Sequence, residues 1–543
     1  MGDTLNWIRG AHVFKFGGDF TRRHEDQRFN PQIRGSYTFT QNYTGDGFAD
    51  FLIGLPGNAT RELVLPGSNI FESLHRSTHY YFFVQDEWKA TANLTVNLGL
   101  RYEYNGQLYE DRDRLTNFVP LNNVIVRIDA PNSIGAGLKD PQYGRCLCFT
   151  KKRDFGPRVG FAYRPGGSNK TVIRSGYGIF FVNVPFNKRQ GIAFNFPWIE
   201  RQIVTNTTPN PVFDLANTFL PSVVTSGILG FRNDLDYFDP MIQQWNLSVQ
   251  RELAPRTMIE LSYIGSNSVH LDAARTFNAA RPGPGAFGPR RPLPNQPVFT
   301  SVDHGYRAWY HGFTTKVRRD FSQGLTFLAH YTWSKAIDTA SSQTGYIAQD
   351  HNCADCNKGL SGFHVAHRAV GSLVYELPVG RTRKYLSSSP RAVDVLFGGW
   401  SVSLIQVLQS GFYTSAITTR NTANIEAGTL FPDVVGQFSI AKGERSVDRW
   451  FNPAGFAQPG AFLFGTAGRN IIEGPGFKST DFGIHKNFAI TERQRLQVRF
   501  EAFNGLNNVN FALPQNNLAA TDFGTIVAAG PSRELQFGVK YIF

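Results

Sequence analysis

Four cysteines and a few nearby histidines are the first residues of this chain whose types and spacing could do chemistry. Cys353 and Cys356 form a C-x-x-C in HNCADC, and Cys146 and Cys148 flank a single leucine in GRCLCF. His351, His364 and His367 stand close to the first pair. Thiolates and imidazoles in such a cluster suit zinc, which takes about four N or S ligands in a tetrahedron. Neither pair is at zinc-ribbon spacing from the other, however, and in an oxidising compartment disulfides are the default for such cysteines. Three connectivities would satisfy four cysteines, and spacing does not choose among them. His364 and His367 have a helical spacing, but AHRAVGSLVYEL opens an alternating pattern there, so both read as loop and rim residues.

The remaining chemistry is sparse. GPG at Gly474 to Gly476 and GYG at Gly176 to Gly178 lack the GK[ST] or strand-to-helix context of a phosphate loop. No Ser, His and acid set stands out, and Glu103, Glu260 and Glu501 alternate with apolar neighbours in the manner of polar residues lining a lumen. The sequence therefore offers no catalytic residue, no cofactor and no metal site, and it does not read as an enzyme. Lys plus Arg number 55 against 42 Asp plus Glu, a net charge of +13 that admits nucleic acid, anionic lipid or phosphate as partners. The positive residues are scattered, with the longest cluster at Lys151 to Arg153. A nucleic-acid footprint would gather them on one face, so nucleic acid is not expected.

The elements that carry these residues follow from composition and period. The 543 residues are 14% aromatic, with 53 Gly and only 3 Met. That is neither a disordered nor a helical composition. No run of about 18 apolar residues occurs, which excludes helical membrane spans. Met1 is followed by GDTLNWIRG, so no signal peptide is expected. In NLTVNLGLRYEY, Leu94, Val96, Leu98, Leu100, Tyr102 and Tyr104 share one face, and Thr95, Asn97, Gly99, Arg101 and Glu103 the other. LTFLAHYTW from Leu325, RLQVRFEAF from Arg495 and the C-terminal LQFGVKYIF repeat the pattern. Period two means strand, and these stretches match the nine to eleven residues, roughly, of a tilted transmembrane strand.

The connections alternate in length. KATAN, RPGGSNK, APRT and DFSQG are tight turns, and a similar one follows Phe488. Between them run the long segments 105–156, 181–240, 266–307, 335–365, 411–477 and 505–532. Short turns alternating with long loops are the layout of an outer-membrane barrel, with the long loops outside the cell. The turn from Leu377 to Gly399 is longer and has room for a short helix. Tyr80, Trp88, Tyr104, Trp245, Trp333 and Trp400 stand at the ends of apolar faces, where interfacial girdles belong. A soluble sandwich or propeller would show shorter strands or a blade repeat.

The final strand is sharper. In QFGVKYIF, Gln536 fills a polar place, Gly538 a glycine, and Tyr541 and Phe543 two hydrophobic places. This resembles the C-terminal signal by which bacterial outer-membrane barrels are recognised by their assembly machinery.

YFFVQDEWKATANLTVNLGLRYEY, FGPRVGFAYRPGGSNKTVIRSGYGIFF, QWNLSVQRELAPRTMIELSYIGS, GLTFLAHYTWSKAID and RLQVRFEAFNGLNNVNF together resemble the TonB-dependent transporters of the Oar-like family, over nearly the whole chain from Trp7 to Phe543. The resemblance implies a receptor barrel for energy-coupled uptake of an unidentified ligand in the outer membrane of a Gram-negative bacterium. Its partners would be outer-membrane lipid and lipopolysaccharide, the assembly machinery, and the TonB complex through a plug domain. Full members also carry a signal peptide, a regulatory-like β-sandwich and that plug before a barrel of about 22 strands. The expected fold is thus all-β, an antiparallel transmembrane barrel represented by about sixteen strands. Three are placed before Tyr80, at Ala11 to Arg22, Arg34 to Gln41 and near Thr60 to Leu65. Residues 1–543 would then be an N-terminally truncated barrel domain. A passive porin, an adhesin-like surface barrel and a non-functional gene fragment are the alternatives.

Overall fold

Strict alternation leaves a strand with one apolar and one polar face, so a run of such strands closes against lipid on one side and water on the other. The computed structural model describes residues 2–29, 32–39, 43–64, 71–120, 124–127, 138–139, 141–183, 189–206, 210–220, 225–227, 230–294, 296–342, 348–381, 383–491 and 493–543. Fifteen long strands form the wall: β1 (Gly2–Arg9), β2 (His12–Phe29), β3 (Phe71–Thr91), β4 (Leu94–Asn105), β5 (Asp154–Tyr163), β6 (Thr171–Phe181), β7 (Met241–Ala254), β8 (Thr257–Phe277), β9 (Phe299–Ser322), β10 (Leu325–Asp338), β11 (His367–Glu376), β12 (Trp400–Gln409), β13 (Phe477–Ala489), β14 (Arg495–Phe503) and β15 (Glu534–Ile542). Each pairs antiparallel with its neighbour in sequence. Among the described residues no pairing joins β15 to β1, so the wall is an open meander.

Two expected wall strands lie elsewhere. Ser36–Thr38 and Asn58–Val64 pair with each other and with Ile199–Thr205 and Thr225–Gly227 in a four-stranded sheet among the long loops. Alternation reports a half-buried strand whether lipid or a loop core covers it; these two leave the wall count, and β1, which the count omitted, enters it. Thr40, Gln41 and Leu65 lie outside the described residues. Half of the segment 266–307, expected as a loop, is strand, because β8 and β9 run 21 and 24 residues. About ten residues suffice to cross the hydrocarbon. The rest stands above the membrane, where loops pack on both faces and the alternation dissolves.

The turns behave as their residues dictate. Between β9 and β10 only Gln323 and Gly324 intervene, both left-handed with φ of 53° and 80°. A two-residue hairpin turn of the primed type needs that hand, and at Gly324 a Cβ would also fall 2.6 Å from the Glu376 carbonyl. The long turn after β11 holds the short helix Arg391–Phe397. Among the described residues no helix is long and apolar enough to cross a membrane.

The wall has little apolar interior; its apolar side faces out. Leu98 and Leu100 are 47% and 43% exposed, and Phe82, Val84, Phe155 and Val159 are exposed beside them. Aromatic belts bound this band. On the side of the long loops the rings of Phe20, Tyr80 and Tyr104 touch in sequence across β2, β3 and β4. There also the Tyr263 and Tyr331 hydroxyls meet His311 Nδ1 at 2.7 Å and His367 Nδ1 at 2.8 Å. On the side of the short turns stand Trp7 on Phe14, Trp88 on His12, and Tyr541 on Phe543. The buried cores are in the loops. One gathers Val64, Leu115, Leu147, Ile192 and Trp198; another gathers Phe431, Phe451, Phe456 and Phe523.

Candidate functional site: the loop-roofed mouth of the barrel

The inward faces of the strands carry charges that apolar packing cannot satisfy, so they pair with each other. Glu103 lies 2.7 Å from Arg101, Glu260 3.5 Å from Lys316, and Glu501 3.6 Å from Arg499. These are the three glutamates whose spacing placed them toward the lumen. Arg101 also covers the Tyr81 ring at 5.1 Å, and the Tyr81 hydroxyl donates to Asn105 Oδ1 at 2.8 Å.

Above this level the network turns inward under the loops. Asn105 Nδ2 donates to Asp239 Oδ2 at 2.9 Å, and Asn183 Nδ2 donates to Asn105 Oδ1 at 2.9 Å. Arg189 lies over the Tyr237 ring at 3.8 Å, and its guanidinium reaches Gln107 at 3.2 Å. Burial holds the Asp239 carboxyl above the ordinary carboxylate range, with Asp154 beside it, and pushes the Tyr237 hydroxyl up as well. Next to them, Arg232 bonds Ser301 at 2.8 Å and Asp303 at 3.1 Å, and Arg275 closes on the same carboxylate. Asp272 is 6% exposed, yet neither of its carboxylate oxygens has a hydrogen-bond partner among the described residues. Arg189, Arg232, Tyr237, Asp239, Asp272 and Asp303 are all buried beneath the loops.

The loops over the far side of the mouth are tied to one another by buried ion pairs. Arg469 meets Asp338, both almost wholly buried, and Arg469 also donates to Ser341 at 2.9 Å. Arg291 meets Glu426 at 2.7 Å. The cysteines do not tie loops together. Cys146 is bonded to Cys148 and Cys353 to Cys356, each within one loop. His351 Nδ1 accepts from the Thr276 amide at 2.8 Å and His364 Nδ1 from the Ala336 amide at 3.2 Å, while His367 faces Tyr331. Each histidine is thus engaged elsewhere, and among the described residues no group of three or more His, Cys, Asp or Glu is placed to hold a metal ion.

Gln536, Gly538 and Tyr541 lie on β15, and Phe543 follows its last residue. Gln536 and Gly538 pair with Glu501 and Arg499 on the lumen face, whereas Tyr541 and Phe543 point outward, Phe543 being 90% exposed. The mouth residues Arg189, Arg232, Tyr237, Asp239, Asp272, Arg275 and Asp303 were not singled out from sequence. The one signal for Tyr237, Asp239, Asp272, Arg275 and Asp303 is charge density in YFDPM, at the start of β7, and in LDAAR and SVDHG, inside β8 and β9.

An antiparallel wall with an outward apolar band between two aromatic belts, a polar lumen and loops roofing one end defines a transmembrane barrel of the outer membrane. The family model for the outer membrane beta barrel domain matches residues 1–536, and the chain belongs to that family. Its place is the outer membrane of a Gram-negative bacterium. Among solved structures, it is similar to the outer membrane transporter YddB from Escherichia coli, with a TM-score of 0.51 and 10% identity over 99% of this chain and 52% of that one. The FrpB iron transporter from Neisseria meningitidis matches with a TM-score of 0.45 and 10% identity, covering 99% of this chain and 54% of that one. The siderophore receptor PirA from Acinetobacter baumannii matches at 0.45 and 10%, covering 100% and 54%. The chain thus spans about half the length of the solved structures it matches, and this likeness is one of fold. A search of curated protein sequences finds no match.

Proposed function

We propose that this chain is the barrel of an energy-coupled, TonB-dependent type of transporter, which takes a polar ligand at its loop-roofed mouth and passes it through the lumen. The observation that carries the reading is the run of polar contacts from Asp239 under the loops through Asn105 and Tyr81 to Arg101 and Glu103 in the lumen. A structural or adhesin-like barrel has no need of such a path. The description of the similar E. coli protein as an outer membrane transporter supports the reading. The same proposal takes residues 1–543 as the barrel part of a longer protein that includes a plug and a TonB-contacting segment, and it assigns no catalytic role to any side chain.

Planar-bilayer conductance tests it without knowledge of the ligand. The complete transporter should hold a closed, non-conducting state and open only when urea or an applied pull displaces the plug. Steady conductance from the moment of insertion would replace the transporter by a passive porin. We further propose that Gln536, Gly538, Tyr541 and Phe543 are read by the assembly machinery. Their support is the outward placement of both aromatic rings on a strand whose second edge is unpaired among the described residues.

A further inference from the structure

Lys151, Lys152 and Arg153, the longest basic cluster in the chain, take no part in the run of polar contacts just described. They line a cavity of about 710 Å³ at the loop ends of β5, β6 and β7. Its wall also holds Asp154, the first residue of β5, Phe181, the last of β6, and Met241, the first of β7. Phe155, next along β5, belongs to the exposed apolar band. The cavity therefore stands where that band ends and the loops begin, and a solute outside the cell reaches it through water.

Opposite charges line this one cavity without meeting. Lys151 is engaged already, 3.1 Å from Asp236 and over the Phe238 ring at 4.9 Å. Lys152 and Arg153 are exposed, and among the described residues no ion pair joins either of them to Asp154, to Asp239 or to any other acid. Asp154 is half-buried, and Asp239 is buried beside it. Two carboxylates so close cannot both stay charged unless a positive group offsets them, whether a shared proton or an ammonium. Asp239 Oδ2 also accepts from Asn105 Nδ2 at 2.9 Å, which makes it the upper end of the run toward Arg101 and Glu103. Most of the remaining wall is apolar: Phe181, Met241 and Phe238, whose ring stacks on His270 at 4.8 Å.

A small molecule that matches this wall carries an anion, a cation and an apolar body. Lys and Arg hold a carboxylate through charge-assisted hydrogen bonds, and carboxylates hold an ammonium in the same way. The volume falls in the range of roughly 300–1,000 Å³ that takes a drug-sized ligand, which a di- or tripeptide is. We propose that this cavity binds a short zwitterionic peptide, with its terminal carboxylate at Lys152 and Arg153, its terminal ammonium at Asp154 and Asp239, and an apolar side chain against Phe238 and Met241. The assignment names a ligand class for the mouth, and to that extent it rests on the transporter reading; binding itself needs no transport.

Isothermal titration calorimetry of the full chain in detergent tests the assignment, with the tripeptide Ala-Phe-Ala, its N-acetyl form and its C-terminal amide as probes. The free tripeptide should bind about tenfold more tightly than either capped form. Lys152→Gln/Arg153→Gln should abolish the discrimination against the amide and keep that against the acetylated form, whereas Asp154→Asn should do the reverse. Lys152→Arg/Arg153→Lys and the remote Arg420→Gln should keep both. Circular dichroism reports whether each variant is folded. Equal binding of free and capped peptides by the wild type, or no binding of any of them, would overturn the site, as would folded Gln and Asn variants that discriminate as the wild type does. Each of these failures leaves the transporter reading standing, since steady conductance on insertion is what would replace that reading.

Discussion

Leu98 and Asn97 are neighbours in β4 that face different solvents, one in the exposed apolar band and the other in the lumen. Arginine at Leu98 should cost roughly 2–4 kcal/mol of stability in lipid vesicles, measured by urea titration, and far less at Asn97. Equal costs would mean that the faces are misassigned. His351 makes a different kind of prediction. Burial first, and the Arg275 charge second, lower its pKa from 6.5 to about 4. The neutral ring is what can accept from the Thr276 amide. The unfolded chain therefore binds a proton that the folded loop refuses, and the stabilisation is present above pH 6.5. It is lost as the pH falls from 6.5 toward 4, up to about 3 kcal/mol. Hydrogen exchange at residues 275–277 should quicken over that window, and a His351→Asn variant should show a flatter profile.

At the scale of elements, the loops and the last strand are secured by different means. Each disulfide spans two or three residues within one loop, so the chain-entropy model gives it only about 2 kcal/mol. Reductant should leave the loops packed on one another, as read by protease resistance. Asp338→Ala, which strands Arg469 with its charge 4% exposed, should loosen the segments 339–366 and 410–476 by about 3–5 kcal/mol. Loss of the roof on reduction alone would reverse that ranking. For β15, deletion of Phe543 should leave export intact but lower the heat-modifiable, folded species in the outer membrane. Normal insertion without Phe543, and also after Tyr541→Ala, would make β15 an ordinary strand. The element pattern was largely legible, because period two and turn chemistry are local. RPGGSNK and DFSQG fall where the structure turns, and from β3 onward the wall holds the thirteen expected strands, although β8 and β9 run on into the segment expected as a loop.

The molecule as a whole was less legible above the membrane than within it. Lipid imposes one rule on every wall strand, whereas the mouth is assembled from partners distant in sequence. Phe118 stacks on Phe299 at 4.9 Å, and Asn105 reaches Asp239. No periodicity announces such contacts, so the acids and arginines of the mouth looked like scattered loop charge. Ser36–Thr38 and Asn58–Val64 went astray for the same reason, their cover being other loops and not lipid. The overhang of β8 and β9 sets the height of the whole. A 24-residue strand that needs about ten residues for the hydrocarbon lifts its far end on the order of 30 Å above it, even when tilted. The entrance is then a chimney whose rim stands among the sugar chains of neighbouring glycolipids. A diffusing solute meets that rim before it meets the membrane surface, so crowding by the surrounding polysaccharide, rather than adsorption to the bilayer, governs how often it arrives.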